Sequence, residues 1–439
     1  MSITAPADAA ARRAARPYDE ADLSSLAFWQ ATAAERERTF AQLRAERPVS
    51  WHRPVEGRLI EDPNDQGFWA VTRHADLVEV TRRHEDFLSG EGIVFDSIPA
   101  ELLDAAQGFI AMDPPDHTKI RRLLVSAFTP KQMARIEADI EANARRIVDA
   151  VAEKGEIDFV REVAMLVPMH NIFDMMGVAD DDRLVLAETS ELIATYRDLP
   201  GGDLDEVLGV LFASMMRFQE ISGRIIAERR EHPGDDLISA LVQAEVDGHR
   251  LTDAEISSFF GLLMVAGNDT TRQSTAHGLQ ALTDFPEQRA WLMEDLEGRL
   301  PGAVEELVRW ATPIMTFRRT AARDCELAGQ QITAGDKVIM FYASANWDTE
   351  IFDHPERLDL GRTPNKHVSF GGGGIHHCLG NQLARRQLAA TFRQLLTRLP
   401  DIESTGETVY GSGNFFHTVA TMPARFTPVS SVTPDGAAR

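Results

Sequence analysis

The sequence is poor in cysteine. Cys325 and Cys378 are the only two in 439 residues. A fold stapled by a framework of disulfides is therefore excluded, and so is a zinc module built on four cysteines.

Long apolar runs and an excess of positive charge are also missing. The longest apolar run, Phe259 to Ala266, is far shorter than the ~20 residues that span a bilayer. Residues 1–20 lack the apolar stretch of a signal peptide. Lys and Arg number 45 against 68 Asp and Glu, a net charge of −23 that argues against nucleic acid or an anionic membrane as a partner. We expect a cytoplasmic protein without a membrane anchor.

The composition is otherwise that of a globular protein, with 44% apolar residues to build a core. No internal repeat and no long polar linker divides the chain. We expect a single domain over residues 19–427, with a disordered Ala/Arg-rich arm at 1–18 and a flexible tail at 428–439.

Helical periodicity dominates and predicts a mainly α (α+β) fold with a small β-sheet region. Short strands are expected within 68–82 and 326–343, where β-branched and aromatic residues concentrate. The clearest predicted helices cover residues 131–152, 181–197, 204–231, 252–283, 302–311 and 380–399.

One predicted helix is long enough to cross the molecule. Thr252 and Glu255 form a capping box at its start, and it continues to about Phe285. At 1.5 Å per residue it would span roughly 48 Å. A second helix follows Cys378 and carries a buried face of Leu388, Phe392 and Leu395.

The most informative stretch is the loop from His367 to Gly380, in which four consecutive glycines precede Cys378. Glycines let the backbone approach a large flat group, and a helix start favours a cysteine thiolate. Haem ligation is one use of such a thiolate. A packed structural cysteine and a zinc site with His376 and His377 stay open as alternatives, whereas a phosphate loop would need a Gly-Lys-Ser/Thr sequence that is absent.

At this loop the sequence resembles the cytochrome P450 family of haem-thiolate monooxygenases. The matching residues are Phe370, Gly371, Gly374, His376, Cys378 and Gly380. Phe370 lies eight residues before the cysteine rather than the commoner seven, as in bacterial members that oxidise sterols and methyl-branched lipids. The resemblance implies haem b, with Cys378 as the axial iron ligand, between the long helix and the helix after the loop.

Further motifs of the family occur in the expected order. Glu306 and Arg309 match its Glu-x-x-Arg helix, bounded by Pro301 and Pro313, and Arg357 matches the third member of its structural triad.

Other matches carry the chemistry that the resemblance implies. Within Ala266–Thr271, Asp269 and Thr270 match the acid–alcohol pair that delivers protons during oxygen activation, and Ala266 lies against the haem. The anchors for the haem carboxylates match His117, Arg121, Arg319 and His376.

By family position, the substrate pocket is expected to be apolar, which suits a hydrophobic substrate. Its expected residues are Phe95, Ile98, Leu262, Ala266, Thr270, Ile314, Met315, and Phe415 or Phe416.

The sequence thus predicts a monooxygenase that uses O2 and two electrons from a ferredoxin and ferredoxin reductase. The leading substrate is a sterol or methyl-branched lipid, and the alternative is a terpene, polyketide or aromatic natural product. A peroxygenase or isomerase is disfavoured by the intact Asp269–Thr270 pair. A non-catalytic haem sensor or electron carrier is the rival from another class.

Overall fold

The computed structural model describes residues 3, 8–57, 62–95, 108–195 and 204–430. Its helices are α1 (Ala9–Ala14), α2 (Leu26–Gln30), α3 (Ala33–Glu46), α4 (His74–Arg82), α5 (Asp116–Ala127), α6 (Pro130–Val151), α7 (Leu166–Met176), α8 (Asp180–Thr195), α9 (Leu204–Glu231), α10 (Leu237–Gln243), α11 (Asp253–Asp284), α12 (Pro286–Glu294), α13 (Leu296–Ala311), α14 (Tyr342–Ala345) and α15 (Asn381–Arg398). Within these ranges, no helix is both long and apolar enough to cross a membrane.

The strands form one main sheet and several small ones. They are β1 (Val49–His52), β2 (Phe68–Val71), β3 (Phe87–Leu88), β4 (Glu156–Asp158), β5 (Glu245–Val246), β6 (His249–Arg250), β7 (Thr316–Ala321), β8 (Cys325–Leu327), β9 (Gln330–Ile332), β10 (Lys337–Phe341), β11 (Glu403–Ser404), β12 (Val409–Tyr410), β13 (Val419–Thr421) and β14 (Pro423–Arg425). The main sheet has the order β1-β2-β10-β7-β3, in which only the β10–β2 pair is parallel.

Helix α11 lies at the centre of the helical part and packs against α7, α9, α13 and α15. Its start is the predicted capping box: the Thr252 side chain accepts from the Glu255 amide, and the Glu255 carboxylate accepts from the Thr252 amide. Met264, Ala276 and Leu279 are among its many residues in the main hydrophobic core. The fold is therefore arranged around this helix, as its length predicts.

The other predicted helices are present, with one clear difference in extent. Helix α13 begins at Leu296 rather than near residue 302, so Pro301 lies inside it. The Asp295 side chain caps this earlier start by accepting from the Gly298 amide at 3.1 Å. In the segment 68–82, where short strands are predicted, only β2 is a strand, and the rest is mostly helix α4.

The N-terminal segment differs from the loose arm expected for residues 1–18. Within its described part, Arg13 and Arg16 each form a 2.6 Å ion pair with the buried Asp336. The Arg16 guanidinium also lies over the rings of Trp51 and Trp69, at 5.0 and 4.9 Å. These contacts hold residues 8–18 against the main sheet. Of the expected tail, residues 431–439 lie outside the described residues.

The carboxylate of Glu306 on α13 is fully buried and satisfied by several donors. Arg309 donates to it twice at 2.8 Å, Asn365 donates at 2.9 Å, and the Asp359 amide donates at 3.1 Å. Arg362 completes the set through its Nε at 3.1 Å. This network attaches the chain that leads to the cysteine loop to α13.

The prediction of Arg357 as the third member of this network is wrong. Its side chain is 73% exposed and only approaches Glu356, at 3.9 Å. The irregular segment between His354 and Arg362 turns Arg357 outward and brings Arg362 to Glu306. A motif match by position could not detect that turn.

We expect Arg362→Ala to lower the free energy of unfolding by about 3 kcal/mol, because it leaves part of a buried carboxylate unpaired. Arg357→Ala is the matched control and should change it by less than about 0.5 kcal/mol. Urea unfolding of the haem-loaded proteins measures both. Equal losses for the two variants would contradict the assignment of Arg362.

Candidate active site

The cysteine loop is held by its own backbone. The Cys378 amide donates to the Phe370 carbonyl at 2.9 Å, and the Gly371 amide donates to the Val368 carbonyl at 2.7 Å. Asn381, the first residue of α15, donates to the Cys378 carbonyl at 2.7 Å. Cys378 is therefore fixed just before the helix, as predicted.

Gly371 and Gly374 both adopt positive φ, at +104° and +80°, which an L side chain rarely tolerates. Gly374 does not line the cavity beside Cys378. A Cβ on Gly374 would instead overlap the Thr81 carbonyl of α4. Its predicted cofactor contact is therefore corrected: this glycine lets the loop pack closely on α4.

The electrostatics of Cys378 also differ from the expectation that the helix start alone favours a thiolate. Burial raises the pKa of the Cys378 thiol, while the Gly380 amide, Arg121 and Arg385 oppose that rise. A metal that binds the sulfur deprotonates it outright. The site therefore suits a thiolate formed on metal binding.

Above Cys378 lies a cavity of about 530 Å³. Helix α11 forms one wall and the segment Pro313–Phe317 another, with the cysteine loop as the floor. Most predicted haem contacts line it: His117, Arg121, Ala266, Arg319, Phe370, Gly371, His376, Cys378 and Gly380.

Cationic and imidazole groups gather at one side of this cavity, and the part of the chain that the structure describes places no carboxylate in an ion pair with them. Among the described residues, neither ring nitrogen of the buried His117 has a hydrogen-bond partner. Its ring lies 4.2 Å from that of His376, centroid to centroid. Burial, reinforced by Arg121, lowers the pKa of His117 to about 4. Burial, reinforced by Arg319, lowers the pKa of His376 to about 2.

The two arginines donate only to carbonyls in the described part of the chain. Arg121 donates to the His377 carbonyl, and Arg319 to the Arg318 carbonyl, both at 2.7 Å. Neither forms an ion pair with a described carboxylate, and burial lowers the pKa of each. This cluster of arginine and histidine side chains is therefore suited to bind an anionic group inside the cavity.

Of the predicted acid–alcohol pair, only Thr270 lines the cavity, whereas Asp269 is buried in the protein interior. Thr270 lines the cavity, and its hydroxyl donates to the Ala266 carbonyl at 2.7 Å. Asp269 is 1% exposed, does not line the cavity, and pairs with Arg272 at 2.9 Å. Helix α11 is continuous through this motif.

The structure supports only part of the predicted substrate pocket. Leu262, Ala266, Thr270 and Ile314 line the cavity, whereas Phe95, Met315 and Phe415 do not. Ile98 lies outside the described residues.

The three misplaced residues have clear positions elsewhere. Phe95 packs in an aromatic cluster with Phe68 and Phe341, at 5.0 and 5.9 Å between ring centroids, and Met315 lies in the same core. Phe415 lies one layer behind the wall, with its ring edge-on to Phe317 at 5.3 Å. Loop and strand geometry decides these positions.

Several aromatic lining residues were not predicted: Phe109, Phe259 and Phe317. Phe259 precedes Leu262 by three residues and Ala266 by seven, so the helical period could have identified it. Phe109 and Phe317 carry no such signal.

The sequence matches the cytochrome P450 family over residues 64–400. It is 39% identical over 417 residues to the methyl-branched lipid omega-hydroxylase of Mycobacterium tuberculosis, covering 93% of this chain and 95% of that protein. It is 38% identical over 375 residues to a steroid C26-monooxygenase of Rhodococcus jostii, covering 84% and 77%. Among solved structures, Mycobacterium marinum cytochrome P450 CYP268A2 in complex with pseudoionone is similar at 57% identity with a TM-score of 0.89, covering 94% of this chain and 99% of that one.

The fold and the thiolate site thus define a haem-thiolate oxygenase, and the chain belongs to the cytochrome P450 family. It is a bacterial-type haem b monooxygenase that takes electrons from external donors. The residues present fit the cofactor: Cys378 offers one sulfur ligand, and the anion-deficient cluster can receive two carboxylates.

We expect Arg319→Met to speed haem loss roughly tenfold, because a charge-assisted contact to a haem carboxylate is removed. The same change should stabilise the haem-free protein by about 1 kcal/mol, since a buried, uncompensated charge disappears. Transfer of haem to a scavenger protein and urea unfolding of the haem-free protein measure the two effects.

Arg318→Met is the matched control. Arg318 is the preceding residue on β7, is equally buried, and does not line the cavity. Its substitution should leave the rate of haem loss within about twofold of the parent value. Faster haem loss from the Arg318 variant than from the Arg319 variant would contradict the assignment.

Proposed function

We propose that this protein hydroxylates a C–H bond of an apolar, methyl-branched lipid or sterol, using O2 and two electrons from a ferredoxin and its reductase. The observation that carries the proposal is the apolar cavity above Cys378. Its walls include Phe109, Phe259, Leu262, Ile314 and Phe317. A substrate that enters it leaves water and is held mainly by burial of apolar surface.

The relatives support the branched-chain part of the proposal. Two of them are named for oxidation of a methyl-branched lipid and of a steroid. A solved relative holds pseudoionone, an acyclic methyl-branched ketone. An apolar cavity with aromatic walls can discriminate a branched chain from a linear one by shape, at about 1–3 kcal/mol per methyl group.

Different residues of the chain bind the cofactor and the substrate. When bound, haem supplies the oxygen-activating chemistry. We assign Cys378 to hold its iron, and His117, Arg121, Arg319 and His376 to hold its carboxylates. The apolar walls hold the substrate and exclude water.

We assign proton delivery to Thr270 and Asp269. The Thr270 hydroxyl lies at the cavity surface, where it can donate a proton after leaving the Ala266 carbonyl. The adjacent Asp269 carboxylate can resupply it from the protein side, and its pairing with Arg272 fixes its orientation.

Titration of the purified haem protein tests the substrate class through its Soret band. The panel is pseudoionone, phytanic acid, cholesterol, palmitic acid and ethylbenzene. We expect a saturable low-to-high-spin shift with phytanic acid or cholesterol, because such a ligand displaces water from the iron. Affinity for palmitic acid should be roughly tenfold weaker, since it lacks the branches. A shift with pseudoionone alone would favour the terpene alternative.

A shift with ethylbenzene alone would instead assign the enzyme to aromatic substrates and contradict the proposal. A spectrum without a Soret band after haem supplementation would contradict haem binding itself.

We expect Thr270→Val to lower the fraction of electrons recovered in hydroxylated product by roughly tenfold, because the proton donor at the cavity is lost. Electrons missing from the product should appear as hydrogen peroxide. Thr275→Val is the control: its hydroxyl makes the same backbone contact, to Thr271 at 2.8 Å, but it does not line the cavity. Unchanged coupling in the Thr270 variant would contradict the assignment.

A further inference from the structure

A segment behind one cavity wall holds that wall in place. Residues 414–418, here the back loop, run antiparallel to residues 311–316. The Met315 amide donates to the Phe415 carbonyl at 2.7 Å, and the Thr316 hydroxyl donates to the Asn414 carbonyl at 2.8 Å. A further bridge joins Ile314 to Phe416. The back loop therefore sets the position of the wall that carries Ile314 and Phe317.

Two histidines connect the back loop to both neighbouring elements. His417 Nδ1 lies 2.7 Å from the Ala311 carbonyl at the end of α13. His277 Nε2, on α11, lies 3.0 Å from the His417 carbonyl. The two rings stack with centroids 4.0 Å apart at 30°.

The hydrogen-bond acceptors determine which ring nitrogen of each histidine carries the proton. A carbonyl oxygen only accepts, so His417 carries its proton on Nδ1 and His277 carries its proton on Nε2. Burial lowers the pKa of His277 to about 4 and that of His417 well below its usual value. Both rings are therefore neutral near pH 7, which allows them to stack without charge repulsion.

The pair ties together the two walls of the cavity. His277 follows Thr270 by seven residues, about two helical turns, so both lie on the same face of α11. Through the back loop, this face is joined to the wall at Pro313–Phe317. Two side-chain hydrogen bonds outside the cavity therefore contribute to the spacing of the walls.

We infer that His277 and His417 are positioning residues that fix the spacing of the cavity walls and so select how a substrate lies over the haem. The inference rests on the proposed function in one respect: the substrate occupies this cavity. Neither histidine lines the cavity, and neither is given a chemical role.

Substitutions to Asn and Gln test whether the hydrogen-bond donor of each histidine matters, because the two amides place their nitrogen at different ring positions. Asn places its amide nitrogen near the position of histidine Nδ1, and Gln places it near Nε2. His417→Asn and His277→Gln should therefore retain the donors, whereas His417→Gln and His277→Asn should lose them. Each position thus carries its own matched control of similar polarity.

The variants that lose a donor are expected to fold, because other contacts keep the back loop attached. The Val419 amide still donates to the Gln273 side chain at 2.7 Å, and the His417 amide to the Pro313 carbonyl at 3.0 Å. Soret absorbance per mole of protein checks haem content in all four variants.

The readouts are the spectral dissociation constant of phenylimidazole and the ratio of hydroxylated products from whichever panel ligand the parent converts. Phenylimidazole binds at the iron and reports on the cavity whatever the natural substrate is. We expect His417→Gln and His277→Asn to raise its dissociation constant roughly tenfold, because the ordered wall is populated less. They should also broaden the product ratio, while His417→Asn and His277→Gln stay within about twofold of the parent.

The outcomes separate this inference from the proposed function. Identical dissociation constants in all four variants, or equal losses within each matched pair, would overturn the positioning role. A parent protein that binds phenylimidazole but none of the branched ligands would overturn the proposed substrate class, and the reciprocal pattern would still decide the inference.

Discussion

The Glu306 carboxylate on α13 is fully buried and ion-paired with Arg309. A charge without access to water must be satisfied by donors from the protein, and here they come from α13 itself and from Asp359, Arg362 and Asn365. Arg309 extends the same network to the carbonyls of Asn346 and Pro355. The irregular chain before the cysteine loop is thereby attached to a helix at defined points. The network therefore helps to position Cys378, because the cysteine loop begins at His367, two residues after Asn365.

The cavity shows the opposite electrostatic situation. At Glu306 the charge is compensated within the chain. At one side of the cavity, by contrast, the described residues give His117 no hydrogen-bond partner and give Arg121 and Arg319 no carboxylate partner. Uncompensated buried charge destabilises a protein, so such a cluster is retained where a ligand supplies the missing charge. In the proposed function, the two carboxylates of haem supply that charge. The same cations favour an anionic cofactor at one end of the cavity, while the apolar walls favour an uncharged chain at the other.

The sequence predicted what depends on short-range order. The central helix, its capping box, the Glu-x-x-Arg pair and the cysteine before α15 follow from periodicity and local spacing, and the structure has all of them. It failed where irregular segments decide which way a side chain points. Arg357 and Arg362 lie five residues apart in a turn without periodicity, so position in a motif could not choose between them. Phe95, Met315 and Phe415 were misplaced for the same reason, since loop geometry and packing behind the wall place them outside the cavity lining.

One face of helix α11 carries cavity-lining residues, Thr270 and His277. Leu262 and Ala266 line the cavity, Thr270 follows one turn later with its hydroxyl on the Ala266 carbonyl, and His277 lies two turns beyond. Helix α11 is continuous through Thr270, so the positions of the walls and of the Thr270 hydroxyl are not independent. A movement of the back loop transmitted through His277 would alter the substrate's place and its distance from Thr270 together. Selection of the reacting carbon and efficient use of electrons are therefore expected to change together in this enzyme, because both depend on the same face of one helix.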